Sequence, residues 1–161
     1  MVEADLIRRC RAGETACYEP LVRAYEAPAL RIALGMLRDA DDARDAVQDA
    51  FVKAYQSLAR FDESRPFAPW FFRILRNRCR DALRSRKPNV ELSVLDQSRE
   101  ALAAGDSVDP ERVHERTAAR ERLWRALGTI ADEHREVLVL KELQGFRYAE
   151  IAKILGVPEG T

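Results

Sequence analysis

At 161 residues and 18.3 kDa, the chain has room for one ordinary domain or two small ones. Hydrophobic residues make up 47% and charged residues 34%, which excludes a compositionally disordered chain. The formal net charge of zero conceals segregation: Arg38 to Ala50 holds five acids against two arginines, Arg65 to Lys87 eight bases against Asp81 alone, and 89–116 seven acids against three bases. Partners are therefore read from the distribution of charge and not from its sum.

Only 7 glycines and 7 prolines, with plentiful Ala, Leu, Arg and Glu, predict an all-α protein. The start, Met1-Val2-Glu3-Ala4-Asp5, lacks a basic stretch followed by an apolar one, and no apolar run approaches the roughly 20 residues of a membrane helix. A cytoplasmic protein without membrane insertion is expected. Cys10, Cys17 and Cys79 lack C-x-x-C spacing and read as reduced thiols. His114 and His134 stand at no ligand spacing to them, so neither a metal nor a cofactor is expected.

The first helix runs through Leu6, Ile7 and Cys10 and stops near Gly13. A second starts at Glu14, with Pro20 in its early turn and Pro28 deep enough to kink or split it. Asp41 or Asp42 is the expected cap of a third, whose stripe is Ala43, Ala46, Val47, Ala50, Phe51, Ala54, Tyr55 and Leu58. Phe61 to Phe67 reads as a loop, and Pro69 suits the first turn of a fourth helix. On that helix Trp70 and Phe71 are expected in the core.

Residues 88–112 lose the periodicity and read as a flexible linker between a domain at 1–87 and another at 113–161. There Ala119, Leu123, Ala126, Leu127 and Ile130 share one helix. Asp132 is placed to cap the next, with Val137, Leu138, Leu140 and Leu143 inward until Gly145 ends it.

Tyr148 to Leu155 forms a short helix, and the residues after it resemble the opening of a helix-turn-helix. Ala152 is small where helices approach closely, Ile151 and Leu155 face the core, Gly156 makes the turn, Val157 packs beneath it and Pro158 opens a second helix. An ordinary helical hairpin also ends on Gly, but the combination favours DNA binding. The chain ends at Thr161, inside the first turn of that second helix, and four residues are too few for a stable groove-reading helix. The C-terminal domain is thus expected to be truncated at its recognition helix and not to read major-groove bases.

Two charged faces stand out. The arginine excess of helix 69–87 suits a polyanion, because a merely solvated face normally mixes signs. On the acidic helix, macrodipole stabilisation of N-terminal carboxylates accounts for Asp41 and Asp42 but not for Asp49, which lies past the first turn. No nucleophile, histidine or phosphate loop accompanies these carboxylates, so no catalytic residue is assigned.

Three motifs in this order resemble the extracytoplasmic-function sigma factors of bacteria. They are Asp45-Ala-Val-Gln-Asp-Ala-Phe51, Phe67 to Leu83, and Arg135-Glu-Val-Leu138 with Tyr148-Ala-Glu-Ile-Ala152 and Gly156 to Thr161. The resemblance implies a transcription initiation subunit and not an enzyme. Asp45, Gln48 and Asp49 would contact core RNA polymerase. The loop at Phe61–Pro69, with Phe67, and the helix with Arg73, Arg76, Asn77, Arg80 and Arg84 would engage the melted −10 element, capturing a flipped base. Tyr148, Ile151, Ala152, Leu155, Gly156, Val157 and Thr161 would belong to the helix-turn-helix for the −35 element. An anti-sigma factor is the further partner implied. A dimeric helix-turn-helix regulator with a ligand pocket in 1–87, and a helical enzyme with a carboxylate-lined metal site, are the alternatives.

Overall fold

The computed structural model describes residues 3–86, 122–123 and 125–160. Every regular element among them is helical. The expected linker at 88–112, Ala119 and Thr161 lie outside the described residues.

Helix α1 (Glu3–Arg11) buries Leu6, Ile7 and Cys10, and Gly13 takes a φ of 98° where the chain turns away. A 3-10 turn (Thr15–Cys17) leads into α2 (Tyr18–Leu37). Pro28 does not split α2, which continues through it and buries Ala29, Ile32, Ala33 and Leu37 beyond. Tertiary packing of that second half outweighs the proline's missing donor.

Helix α3 (Ala40–Ser57) is capped by Asp39, and not by Asp41 or Asp42 as expected. Its carboxylate accepts from the backbone N–H groups of Asp41 (3.0 Å) and Asp42 (2.9 Å), which leaves the side chains of those two for other partners. Helix α4 (Phe67–Ser85) follows the loop, with Pro69 in its first turn.

The four helices meet in an aromatic centre. The Phe71 ring, fully buried, stacks on Phe51 (centroids 4.6 Å apart, 29° between planes) and on Phe67 (5.9 Å, 8°). Tyr25 leans on Phe67, Phe71 and Phe72 and donates its hydroxyl to Glu3 on α1. Tyr18 Oη donates to the Phe51 carbonyl at 2.7 Å, which fixes α2 against α3.

In the C-terminal part, residues 122–123 and 125–128 are helical. Then come α5 (Asp132–Leu138), a π-helical turn (Val139–Leu143) and α6 (Tyr148–Leu155). Asp132 is a first-turn acid and not the cap, which falls on Ala131. Of the expected inward positions Leu140 is buried and Val137 partly so, but Leu138 is exposed, and Arg135, Glu136 and Val139 are buried beside them. Charged residues are seldom buried unless paired, so apolar periodicity passes over Arg135 and Glu136. Both are paired here. Arg135 donates to the carbonyls of Leu127 (2.8 Å) and Ile130 (2.7 Å), and Glu136 accepts from Arg76.

The two parts pack together: α6 lies on α4, and the π-turn and α5 lie on α2. Val139, Leu140, Ile151 and Ile154 join the same buried cluster as the first four helices.

Candidate polymerase and nucleic-acid interface

Helix α3 turns Ala43, Ala46, Val47, Ala50 and Phe51 inward, so its solvent side presents Asp45, Gln48 and Asp49, all exposed. The three predicted residues therefore share one face. The neighbouring acids are occupied: Asp41 pairs with Arg44 (2.9 Å), and Asp42 accepts from Arg86 Nε (2.9 Å). Asp45 and Asp49 have no ion pair among the described residues. Beside them, α2 and α3 enclose an open groove of about 970 Å³, with Tyr18, Val22 and Leu30 on one wall and Gln48, Val52 and Tyr55 on the other. Val52 is 51% exposed and Tyr55 39%. Unpaired carboxylates beside apolar side chains open to solvent form a surface suited to a protein partner carrying cations and an apolar ridge. The acids are legible in the sequence and the groove is not, because its apolar residues look like core on a helical wheel.

On α4, Arg73, Asn77 and Arg84 are exposed and Arg80 is partly so, and their spacing of three and four makes a single stripe. Phe67, expected among the DNA contacts, lies instead inside the core at 1% exposure, between Phe61, Tyr25 and Trp70. The helix begins by burying its first aromatic, so this ring shapes the loop from within. Phe71 is likewise core, as expected, and Trp70 is half-buried against Phe61 (4.8 Å). Asp62 organises the loop by accepting from the Ser64 backbone (3.0 Å) and hydroxyl (2.7 Å), and those bonds hold its carboxyl below the usual range. A cleft of about 720 Å³ opens there, lined by Arg60, Arg65, Trp70 and Arg73 from this side and by Lys153 and Val157 from the other.

Arg76 is placed differently from its neighbours. Its guanidinium is turned to the C-terminal part, where Nε donates to Glu136 at 2.8 Å and Nη1 to the Leu155 carbonyl at 3.1 Å.

Of the predicted helix-turn-helix residues, Ile151 is buried, Leu155 and Ala152 are partly so, and Tyr148 is exposed with Lys141 above its ring (4.9 Å). Gly156 ends α6 in the left-handed conformation (φ 71°), as the turn requires. One expectation fails: Val157 is 41% exposed instead of packed beneath the turn. Leu155 packs against the core as expected, and Ile154, fully buried, joins it there. The buried positions 151 and 154 are three apart, and Val157 falls beyond the glycine, where the chain has already left the helix.

Comparison with known proteins gives the same order of parts. Residues 21–88 match the family model of sigma-70 region 2, and residues 120–161 that of sigma-70 region 4. Together they define a transcription initiation factor of the sigma-70 type. Among curated proteins, the chain is 32% identical over 162 residues to the ECF RNA polymerase sigma factor SigM of Mycobacterium tuberculosis, covering 99% of this chain and 76% of that one. It is 32% identical over 157 residues to the RNA polymerase sigma factor CarQ of Myxococcus xanthus (96% and 86%) and 28% identical over 160 residues to SigW of Bacillus subtilis (96% and 86%). Among solved structures it resembles CnrH, determined in complex with the cytosolic domain of CnrY, with a TM-score of 0.70, 27% identity and coverage of 97% and 84%. The chain belongs to the ECF RNA polymerase sigma factors. Its function is promoter recognition for RNA polymerase, and core polymerase and promoter DNA are its partners. No helix among the described residues is long and apolar enough to cross a membrane.

Proposed function

We propose that α3 is the polymerase-docking surface and α4 the promoter-strand surface of this sigma factor. The observation that carries the reading is the separation of charge onto two helices of one packed core. Asp45, Gln48 and Asp49 project from α3 beside the apolar groove, and Arg73, Asn77, Arg80 and Arg84 run along α4. Carboxylates and exposed apolar side chains suit a protein coiled coil, while guanidinium groups suit phosphate oxygens and the flanking cleft is lined by Arg65, Trp70 and Arg73. Residues 1–87 then form the polymerase and −10 domain, 88–112 the linker and 113–161 the −35 domain.

The chain acts by binding and not by catalysis. Its most shielded thiol, Cys79, is pushed up to about 12, chiefly by burial and further by the Glu136 charge, and stays protonated at neutral pH. An anti-sigma factor is the regulatory partner we assign. Support comes from the likeness to CnrH, which was captured with the cytosolic domain of a second protein, and from the exposed apolar side chains of Val52 and Tyr55. The cytoplasm is the compartment in which such a subunit meets polymerase.

The test is selection of single-stranded DNA from a randomised pool by the chain bound to core polymerase. A short shared motif should be enriched, and its enrichment should vanish when Arg73 and Arg80 are replaced by alanine. A pool that stays random would reject strand recognition by this helix.

A further inference from the structure

The loop between α3 and α4 is held from both sides. On its inner side Phe61, buried, meets Phe67 edge to face (5.7 Å) and leans on Trp70 (4.8 Å). Within the loop Asp62 closes a turn. Its carboxylate accepts from the Ser64 N–H and hydroxyl, and its carbonyl accepts from the Arg65 N–H at 3.0 Å. On the outer side the hold comes from α1, which lies against the 3-10 turn at Leu58–Arg60. The Arg11 guanidinium pairs with Glu63 through Nη1 and donates through Nη2 to the Ala59 carbonyl at 3.2 Å. One planar fork thus ties two points, one in the turn and one in the loop, to a helix 48 and 52 residues earlier.

Stability does not account for this arrangement. Both partners of the ion pair are 35% exposed, and pairs so open to water add little to a fold. Helix α1 is secured without Arg11, since Leu6, Ile7 and Cys10 are buried and Tyr25 donates to Glu3. Nor does Arg11 reach the cleft beside the arginine stripe. That cleft is lined by Arg60, Asp62 and Arg65 from the loop and by Trp70 and Arg73 from α4, while Arg11, Ala59 and Glu63 stay out of its wall. The loop shows one side to the cleft and is gripped by Arg11 on the other.

We infer, on the reading that α4 and its cleft face DNA, that Arg11 is a positioning residue for promoter recognition: from behind the loop it fixes the wall that meets the strand. Discrimination among sequences needs that wall in one place, because a wall that moves accepts different bases at similar cost. Phosphate attraction needs no such wall, and Arg73, Arg80 and Arg84 supply it along α4 wherever the loop stands. Losing Arg11 therefore removes selectivity and leaves general affinity in place. With the wall in position about nine-tenths of the time in the parent and about one-tenth without Arg11, affinity for the preferred sequence falls about tenfold.

The experiment uses the full chain bound to core polymerase and two single-stranded oligonucleotides. One carries the motif that the parent enriches from the randomised pool, and the other has the same composition in scrambled order. Arg11→Ala should lose about tenfold in affinity for the first and keep its affinity for the second. Glu63→Ala should lose in the same direction, and the double variant no more than Arg11→Ala alone, since both act through one contact. Without DNA, the Ser64 and Arg65 amides should exchange hydrogen about tenfold faster in Arg11→Ala, at unchanged Tm, as the open fraction rises from about one-tenth to about nine-tenths. Unchanged discrimination or unchanged exchange in the folded variant would overturn the positioning role. Equal losses on both oligonucleotides, with a salt slope lower by about 0.7, would make Arg11 a phosphate contact instead. A parent that does not separate the two sequences would sink the strand reading itself, and the role of Arg11 with it. Quickened exchange with discrimination intact would sink the role of Arg11 alone.

Discussion

Replacing Arg73, Arg80 and Arg84 together by alanine is expected to weaken single-stranded DNA binding by roughly 10- to 100-fold and to reduce its salt slope by about 2. Each phosphate neutralised on a single strand contributes about 0.7 to the dependence of log affinity on log salt, so three lost contacts remove about 2.1. The three side chains lie along one side of α4 and their ion pairs within the fold are long, Arg84 standing 3.8 Å from Asp81 and Arg80 3.9 Å from Glu136. Arg76 is left out deliberately. Its guanidinium serves Glu136 and the Leu155 carbonyl, and its removal would mix lost DNA contact with a broken joint. An unchanged slope would show that these arginines do not meet phosphates.

The second large effect is on stability. Phe71→Ala should cost about 3–5 kcal/mol, because a fully buried ring is deleted from a stacked cluster that cannot collapse around the void. Against a typical total of about 5–15 kcal/mol, that lowers Tm by about 6–20 °C. Val52→Ala, on a 51% exposed side chain, should stay within about 0.5 kcal/mol. Thermal unfolding followed by circular dichroism measures both. Equal losses in the two variants would contradict the packing of Phe71 at the centre of the core.

Much of the fold is legible in the sequence because its signals are local. Apolar spacing locates α1 to α4, and Gly13 and Gly156 mark real ends with positive φ. The features that escape depend on partners distant in sequence. Pro28 reads as a kink or split in α2, and the core contacts of Ile32 and Leu37 carry the helix through without a split. The resemblance implies Phe67 as a DNA contact, and only the fold reveals it between Phe61 and Tyr25. Arg135 and Glu136 stand out in the sequence only as part of a motif. Glu136 finds its partner 60 residues earlier, at Arg76, which no periodicity encodes. The acidic face is readable at Asp45, Gln48 and Asp49, since charge sorted along one helix needs no tertiary information. The openness of its apolar neighbours Val52 and Tyr55 is not, since exposure is a property of the packed helices.

The most direct test of docking through α3 is binding of the full chain to purified bacterial core RNA polymerase, compared with the triple variant Asp45→Ala, Gln48→Ala, Asp49→Ala. The parent should bind tightly. The variant, with helicity and Tm unchanged because all three side chains are exposed, should lose at least about 100-fold, equivalent to about 2.7 kcal/mol. Equal affinity of parent and variant, or no binding by a folded parent, would contradict a polymerase-binding role for this helix.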